Sequence, residues 1–140
     1  MSRQTKLKLN KVKTKSQVNI KDDPVRDVSY TFRTTQGRSI YTIPKKAVVC
    51  VANTILLPTT MQELEMYSQP KAKEFTIFYT VWSYEKGYGR TILNELLPLL
   101  TTERFVTLSP KTQMAKDFHT RNGAKLIADN ENSYNFEYFK

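Results

Sequence analysis

The sequence predicts a single domain of the α+β class, in which helices pack on a mixed β-sheet. Segments rich in β-branched and aromatic residues alternate with segments of helical periodicity along most of its 140 residues. The hydrophobic share is 39%, which is enough apolar material for one packed core. Because 22 Lys and Arg stand against 13 Asp and Glu, the net charge is +9, and this excess favours an anionic partner.

The first elements of the domain are predicted to be strands. Residues 28–34 and 38–43 are rich in β-branched and aromatic residues, and the intervening Thr35-Gln36-Gly37 predicts a hairpin between them. Residues 47–52 form a continuous apolar run that is too short for a helix, which predicts a strand buried on both faces.

A short helix is predicted next, followed by the strongest strand of the sequence. Thr59, Thr60 and Glu63 have the spacing of a capping box, and Pro70 ends the helix that they begin. Residues 74–82 are dense in aromatic and β-branched side chains, which predicts a strand at the centre of the sheet.

The second half is predicted to alternate helices and strands. Large aliphatic residues recur at helical spacing over 92–100, with Pro98 in the last turn. This order predicts a mixed sheet with one parallel crossover. The later elements are a strand at 105–108, a helix from Pro110 to the cap at Asn122-Gly123, and two antiparallel strands at 125–128 and 134–139.

The basic excess divides the chain into a basic N-terminal arm, residues 1–24, and one folded domain, residues 25–140. Such an arm stays flexible until it meets an anion, for example a nucleic acid. Leu7 and Leu9 alternate with lysines, which leaves a second interpretation open, a charged edge strand. The basic residues that precede the first acidic residue are Arg3, Lys6, Lys8, Lys11, Lys13, Lys15 and Lys21.

Two residue types occur only once and limit the chemistry. The single cysteine, Cys50, excludes an internal disulfide and thiolate zinc sites, and the single histidine, His119, excludes histidine-clustered metal centres. We therefore expect no metal cofactor. No apolar run approaches the roughly 20 residues that cross a bilayer, so we expect a cytoplasmic protein without a membrane partner.

Two of the four glycines lie in Lys86-Gly87-Tyr88-Gly89-Arg90, between the strongest strand and the best helix. Unpaired N–H groups at a helix N-terminus attract anions, and glycines let a phosphate approach the backbone closely. The turn therefore predicts a phosphate site, with an ordinary tight turn as the alternative. Ile92 stands where the dinucleotide fingerprint needs its third glycine, which argues against a dinucleotide site.

The stretch from Val81 to Thr91 resembles the acyl-CoA turn of the GNAT acyltransferase superfamily, although Tyr84 stands where that family has Gln or Arg. The resemblance implies a GNAT-like mixed twisted sheet with a central strand, a phosphate-binding glycine turn and flanking helices. It also implies acetyl-CoA or another short acyl-CoA as the co-substrate. A downstream part of the family's pattern is matched by Ala115, Phe118, His119, Gly123 and Ala124.

A closer resemblance is to the catalytic part of malonyl-CoA decarboxylase, itself an enzyme of GNAT fold. This resemblance implies that Ser109 and His119 are the acting catalytic pair. The chain is much smaller than those enzymes and joins the two residues by a shorter connection. The matching segments are 77–80, 105–110, 118–124 and 135–138.

The resemblance also implies a role for each site residue. His119 would give or take a proton near neutrality, and Ser109 would donate a hydrogen bond to a carbonyl or carboxylate. Both have a structural alternative, because serine caps helices and histidine is favoured at helix C-termini. The backbone of Tyr79, Thr80 and Val81 would pair with the pantetheine arm, and the pyrophosphate would bind Lys86, Gly87, Tyr88, Gly89, Arg90 and Thr91.

The sequence leaves three functions open. The first is acyl-CoA-dependent transfer of a small acyl group, acetyl above all, to an amine of an unidentified acceptor, for which the basic arm favours a nucleic acid or a protein bound to one. The second is a malonyl-CoA decarboxylase-like reaction, which needs both Ser109 and His119 and no acceptor. The third is a basic binding protein that has the fold without catalysis.

Overall fold

The computed structural model describes residues 8–140, which form a mixed sheet with helices on both faces. The strands are β1 (Asn10–Lys11), β2 (Arg38–Ile43), β3 (Ala47–Thr54), β4 (Phe75–Ser83), β5 (Arg104–Thr107), β6 (Ser109–Pro110), β7 (Lys125–Asp129) and β8 (Ser133–Tyr138). The helices are α1 (Tyr30–Thr34), α2 (Met61–Tyr67), α3 (Tyr88–Leu96) and α4 (Gln113–Arg121). Short 3-10 turns cover Lys15–Gln17, Ile20–Asp22 and Leu97–Leu99.

The strands are ordered β1-β2-β3-β4-β5-β8-β6, and β7 also pairs with β8. The first four are antiparallel, whereas β4 and β5 run parallel and are connected through α3. The last strands, β6, β7 and β8, are again antiparallel. The α+β class and the single parallel crossover predicted from the sequence are therefore confirmed.

Residues at successive positions of β3 and β4 are buried. Because successive side chains of a strand point to opposite faces, both faces of the sheet are covered. The face toward α3 and α4 buries Val49, Val51, Phe78, Leu93 and Phe105. The face toward α1 and α2 buries Ile40, Cys50, Leu64, Ile77 and Tyr79. The two buried strands predicted at 47–52 and 74–82 are confirmed, as is the helix that Thr60 and Glu63 begin.

The hairpin predicted between residues 28–34 and 38–43 is wrong. Residues 30–34 form α1, which begins where the Ser29 hydroxyl accepts a hydrogen bond from the Phe32 N–H at 3.0 Å. β2 pairs instead with β3, the next strand in the chain. The helix is fixed by tertiary contacts that no local pattern records, above all the burial of Arg33 against Asp23.

The helix predicted from Pro110 begins only at Gln113. The Thr112 hydroxyl caps it by accepting from the Ala115 N–H at 3.1 Å. Ser109 and Pro110 instead pair with Tyr134 and Ser133 as β6. Ser109 is therefore not a helix cap, and the alternative prediction that this serine caps the helix is wrong.

The predicted N-terminal arm is described from Lys8 onward, and residues 1–7 lie outside the described residues. Asn10 and Lys11 pair with β2 as the edge strand of the sheet, and Val12 is buried in the core. The exposed lysines of this segment are Lys8, Lys11, Lys13, Lys15 and Lys21. Within residues 8–140, no helix combines the length and apolarity that a bilayer span needs.

Candidate active site

The two parallel strands at the centre of the sheet diverge halfway along β4. Their pairing runs from Phe75 opposite Arg104 to Phe78 opposite Thr107, and it ends with a 2.9 Å hydrogen bond from the Leu108 N–H to the Phe78 carbonyl. Beyond this point β4 continues to Ser83 beside β3, whereas the chain after β5 turns into β6. A cleft therefore opens between the two strands.

A β-bulge in β4 lies at the point of divergence. Cys50 of β3 lies opposite Thr80 and Val51 lies opposite Phe78, so Tyr79 is the extra residue. Tyr79 packs in the core toward α1 and α2, while Phe78 packs on the opposite face. The bulge thus changes which side chains of β4 line the cleft.

The cleft encloses about 280 Å³ and is lined mainly by apolar side chains. One wall is β4 and the other is formed by the chain from Leu108 into α4. Gly89 lies at one end, where β4 leads into α3, and Pro24 and Val25 lie beside the diverging strands. Both predicted catalytic residues, Ser109 and His119, line this same cavity.

The glycine turn at one end of the cleft is open to a ligand. Gly87 has φ +91° and precedes α3 directly, and its carbonyl accepts from the Thr91 N–H at 3.1 Å. Within residues 8–140, the N–H groups of Gly87, Gly89 and Arg90 have no acceptor. Apart from Gly87 and its chain neighbours, no atom of residues 8–140 lies within 4 Å of the position that a Cβ on Gly87 would take. Such a turn has the free donors and the space that an anion requires.

Charged and aromatic side chains surround this turn. Lys86 and Arg90 are exposed, and Lys46 forms an ion pair with Glu85 at 2.5 Å. The Tyr84 hydroxyl donates to Asp22 at 2.5 Å and accepts from the Trp82 indole at 3.2 Å. Tyr84, which stands where the acyl-CoA turn of the GNAT superfamily has Gln or Arg, therefore forms a hydrogen bond to the segment before α1.

Gly89, at the start of α3, packs closely against Phe118 of α4. A Cβ at this position would lie 3.1 Å from Cε1 of Phe118, which is tighter than ordinary packing allows. The glycine therefore lets α3 approach the helix that carries His119. Phe118 and His119 are neighbours in α4, and their rings pack edge to face with centroids 5.0 Å apart.

His119 is buried at the cleft wall with only 6% of its surface exposed. Its Nδ1 lies 2.7 Å from the hydroxyl oxygen of Tyr138. The Phe136 ring packs beside the imidazole, with the two ring centroids 5.3 Å apart. Burial lowers the pKa of His119 to about 4, so the ring is neutral at neutral pH. A neutral ring can accept a proton at this pH, and the part of His119 in proton transfer stays a prediction.

Ser109 is buried beside the same cavity, but its hydroxyl is engaged elsewhere. The Ser109 Oγ donates to Thr107 Oγ1 at 2.7 Å, and Thr107 Oγ1 also accepts from the Phe136 N–H at 3.0 Å. No hydrogen bond joins Ser109 to His119 in residues 8–140. The pair shares a cavity without the contact that a nucleophile and its base require.

Three functional candidates lie outside the residues selected from the sequence. Tyr138 is the hydrogen-bond partner of His119, although in the sequence it reads as one aromatic residue of an alternating strand. Arg26 donates to backbone carbonyls of both diverging strands, and Asp23 is buried against Arg33. No sequence signal marks these two residues, because their partners are remote along the chain.

Cys50 is buried in the core and does not line the cleft. Burial raises the pKa of the Cys50 thiol to about 12, so this side chain is an unreactive part of the core. In the part of the chain from Lys8 onward, no three His, Cys, Asp or Glu side chains come close enough to hold a metal ion.

Neither a protein-family model nor a curated protein matches the sequence. Two solved structures are similar to the chain. Malonyl-CoA decarboxylase from Cupriavidus metallidurans aligns with a TM-score of 0.50 and 20% identity over 74% of this chain. The N-acetyltransferase PseH from Campylobacter jejuni aligns with a TM-score of 0.53 and 11% identity over 77% of this chain and 72% of its own.

These similarities concern the fold, because identity is low in both. The chain spans 31% of the length of the decarboxylase. One neighbour is an N-acetyltransferase and the other a malonyl-CoA decarboxylase, the two kinds of enzyme that the sequence motifs resemble. The diverging central strands, the glycine turn before α3 and these two neighbours identify the chain as a protein of GNAT-like fold.

Proposed function

We propose that the protein is an acyl-CoA-dependent N-acyltransferase that moves a short acyl group, acetyl above all, to an amine. The observation that carries this proposal is the continuity of one cleft from the open glycine turn to the buried, neutral His119. A ligand with phosphates at one end and a reactive carbonyl at the other fits such a cleft. The similar N-acetyltransferase structure supports the same choice.

The glycine turn would bind the pyrophosphate of the co-substrate. The free N–H groups of Gly87, Gly89 and Arg90 point to this role, and the exposed Lys86 and Arg90 side chains add positive charge. Tyr88 and Thr91 belong to the same first turn of α3. No side chain has to be deprotonated or to bind a metal for this contact.

The backbone of β4 beyond the divergence would pair with the pantetheine arm. The Tyr79 carbonyl already accepts a hydrogen bond from Arg26, so Thr80 and Val81 supply the groups that we expect to pair. This position brings the thioester to the place where the strands separate. Holding the reacting atoms in this way provides much of the rate enhancement in a direct transfer.

His119 would act as the base of the transfer. When its Nδ1–H donates to Tyr138, Nε2 is free to accept a proton, and the neutral ring is in the required state at pH 7. The amine nitrogen forms a bond to the acyl carbon, the carbon–sulfur bond breaks, and the amine proton passes through Nε2 to the departing thiolate. Ser109 would supply a hydrogen bond to the carbonyl oxygen once its hydroxyl rotates away from Thr107 Oγ1 toward the cleft.

A second candidate is malonyl-CoA decarboxylation, which is favoured by the presence of Ser109 and His119 in one cavity. In this reaction the bond between the carboxylate carbon and the α-carbon breaks, carbon dioxide leaves, and a proton from water adds to the α-carbon of the resulting enolate. The other tautomer of His119, in which Tyr138 donates to Nδ1, carries its hydrogen on Nε2 and would donate it in a hydrogen bond to the enolate oxygen. No acceptor is needed.

We infer an anionic acceptor for the transferase reaction. The exposed lysines that precede Asp22 favour an anionic acceptor, such as a nucleic acid or a protein bound to one. Binding through these lysines weakens as salt rises, because counterions are released from the nucleic acid. A salt titration of binding to single-stranded and double-stranded oligonucleotides tests this part of the proposal.

The first experiment is thermal unfolding with acetyl-CoA, malonyl-CoA and free CoA. A ligand that binds the folded chain raises its melting temperature. The double variant Lys86→Glu, Arg90→Glu should lose this shift. The matched control, Lys71→Glu with Lys73→Glu, reverses two exposed lysines beyond the opposite end of β4 and should keep it.

The outcomes separate the three functions. A shift that only the turn variant loses supports a CoA site, and release of carbon dioxide from malonyl-CoA alone would then distinguish decarboxylation from transfer. Acylated amine formed from acetyl-CoA supports the transferase. No shift with any of the three ligands at millimolar concentration contradicts both enzymes and favours the non-catalytic basic binding protein.

A further inference from the structure

A single guanidinium joins the two diverging strands at the root of the cleft. Their last backbone hydrogen bond runs from Leu108 N–H to the Phe78 carbonyl. Just beyond it, Arg26 donates from Nε to the Tyr79 carbonyl at 2.9 Å and from Nη2 to the Leu108 carbonyl at 2.8 Å. Arg26 therefore replaces the next rung of the ladder and fixes the distance between the strands.

The segment that carries Arg26 is held by a buried carboxylate. The Asp23 side chain is inaccessible to solvent and forms an ion pair with Arg33 at 2.6 Å. It also accepts from the Thr80 hydroxyl at 2.8 Å and from the N–H groups of Val25 and Arg26 at 2.8 and 3.0 Å. A buried carboxylate with this many donors has one favourable position, so residues 23–26 form a rigid unit.

This unit also forms part of the cavity wall. Pro24 and Val25 line the cleft, together with Tyr79, Thr80 and Leu108. Gly89 and Ser83 line its other end, next to the glycine turn. A ligand whose phosphates lie at the turn and whose chain follows β4 therefore directs its far end toward Pro24 and Val25.

We propose, on the basis of the acyl-CoA function proposed above, that residues 23–26 form the end wall of the cleft and restrict the acyl group to short chains such as acetyl and propionyl. Val25 supplies the apolar surface that the acyl group meets. Arg26 lies behind this surface and holds both strands at the wall through its bonds to the Tyr79 and Leu108 carbonyls. Pro24 fixes the backbone direction between the Asp23 anchor and Val25.

The proposal predicts how affinity changes with chain length. In an open apolar groove, each added methylene raises affinity by about fourfold, because it removes apolar surface from water. Against a fixed wall the added methylene has no room, and it displaces either the wall or the rest of the ligand. The native chain should therefore bind hexanoyl-CoA about tenfold more weakly than acetyl-CoA.

Calorimetric titration of the full chain with CoA, acetyl-CoA and hexanoyl-CoA provides the test. Val25→Gly removes the apolar surface while its N–H continues to donate to Asp23, so the anchor is retained. In this variant the affinity for hexanoyl-CoA relative to acetyl-CoA should rise about tenfold, and that for free CoA should stay as in the native chain. Arg26→Ala should also raise the affinity for hexanoyl-CoA relative to acetyl-CoA. This variant should have a lower melting temperature, because it loses the bonds to the Tyr79 and Leu108 carbonyls.

Leu56→Gly is the matched control, because Leu56 is an exposed aliphatic residue outside the cleft. It should leave the ratio of the two affinities unchanged. An unchanged ratio in Val25→Gly, or a native chain that binds hexanoyl-CoA as tightly as acetyl-CoA, overturns the end wall while the CoA site stands. A native chain that binds none of the three ligands overturns the proposed function and the end wall together.

Discussion

The Nδ1 atom of His119 and the hydroxyl oxygen of Tyr138 lie 2.7 Å apart in the wall of the cleft. His119 belongs to α4 and Tyr138 is the last residue of β8, so this contact fixes the helix against the sheet. Burial lowers the pKa of the imidazole and raises the pKa of the phenol. Both groups are consequently neutral at neutral pH, and the contact leaves Nε2 as the ring nitrogen of His119 that Tyr138 does not engage.

Tyr138→Phe should destabilise the protein by about 1–3 kcal/mol, because it leaves a buried ring nitrogen without its partner. The same change should reduce turnover more than it weakens CoA binding, since the glycine turn is untouched. Urea denaturation and steady-state kinetics measure the two effects. Tyr134→Phe, on the same strand, is the control and should have little effect; equal losses in both variants would contradict a specific role for Tyr138.

His119 should make stability depend on pH in a defined window. Its pKa falls from an ordinary 6.5 to about 4 in the folded chain, so the unfolded chain binds the additional proton between these values. This contribution is fully present above about pH 6.5 and is lost as pH falls toward about pH 4, by up to about 3 kcal/mol in total. Urea denaturation across this range, compared with His119→Phe, isolates it from the carboxylates.

A direct measurement of the same group is available because the chain has only one histidine. Its ring proton resonance in a proton NMR titration therefore needs no assignment. We expect a midpoint near pH 4 in the folded protein. A midpoint near pH 6.5 would show that the ring is solvated, and the assignment of His119 as a buried neutral base would then be wrong.

Asp23→Asn should cost about 3–5 kcal/mol, because it leaves the Arg33 charge buried without a counterion. Only 1% of the Arg33 side chain is exposed. Glu85→Gln, which breaks the exposed ion pair with Lys46, is the control and should lower the unfolding free energy far less. Chemical denaturation of both variants checks the difference, and similar losses would contradict the burial of the Asp23 pair.

Two glycines with the same backbone requirement should differ in their response to alanine. Gly37 and Gly123 have φ of +83° and +88°, so Ala strains either by about 1–2 kcal/mol. A Cβ on Gly37 would also lie 2.5 Å from the Gln69 carbonyl oxygen, whereas one on Gly123 meets no atom of residues 8–140 within 4 Å. Gly37→Ala should therefore lower the melting temperature clearly more; equal shifts would contradict the close approach at Gln69.

The sequence predicts those parts of the fold that local chemistry determines. β3 and β4 follow from dense β-branched and aromatic residues, α2 from its capping box, and the end of α4 from Asn122-Gly123. The sequence predicts a strand where α1 lies, because the aromatic and β-branched residues of this segment favour one. Its Ser29 cap and the ion pair of Arg33 decide the outcome, and the second of these requires a residue ten positions away.

The residues of the candidate site also differ in whether a local sequence signal marks them. The glycine turn, Ser109 and His119 each belong to a short sequence motif, and Gly89 of the turn, Ser109 and His119 line one cleft. The pKa of His119 and its Tyr138 partner depend on burial by other elements, which no spacing in the sequence expresses. Arg26 has no local signature at all, since its role arises only where two strands separate.

The Arg26 bridge has a consequence for the order in which the domain assembles. Its two acceptors lie 53 and 82 residues further along the chain, in Tyr79 and Leu108. During synthesis, the bridge is therefore incomplete until most of the domain has left the ribosome. Closing loops of this length costs conformational entropy, which slows folding. The cleft therefore cannot acquire its final shape before Leu108 has left the ribosome.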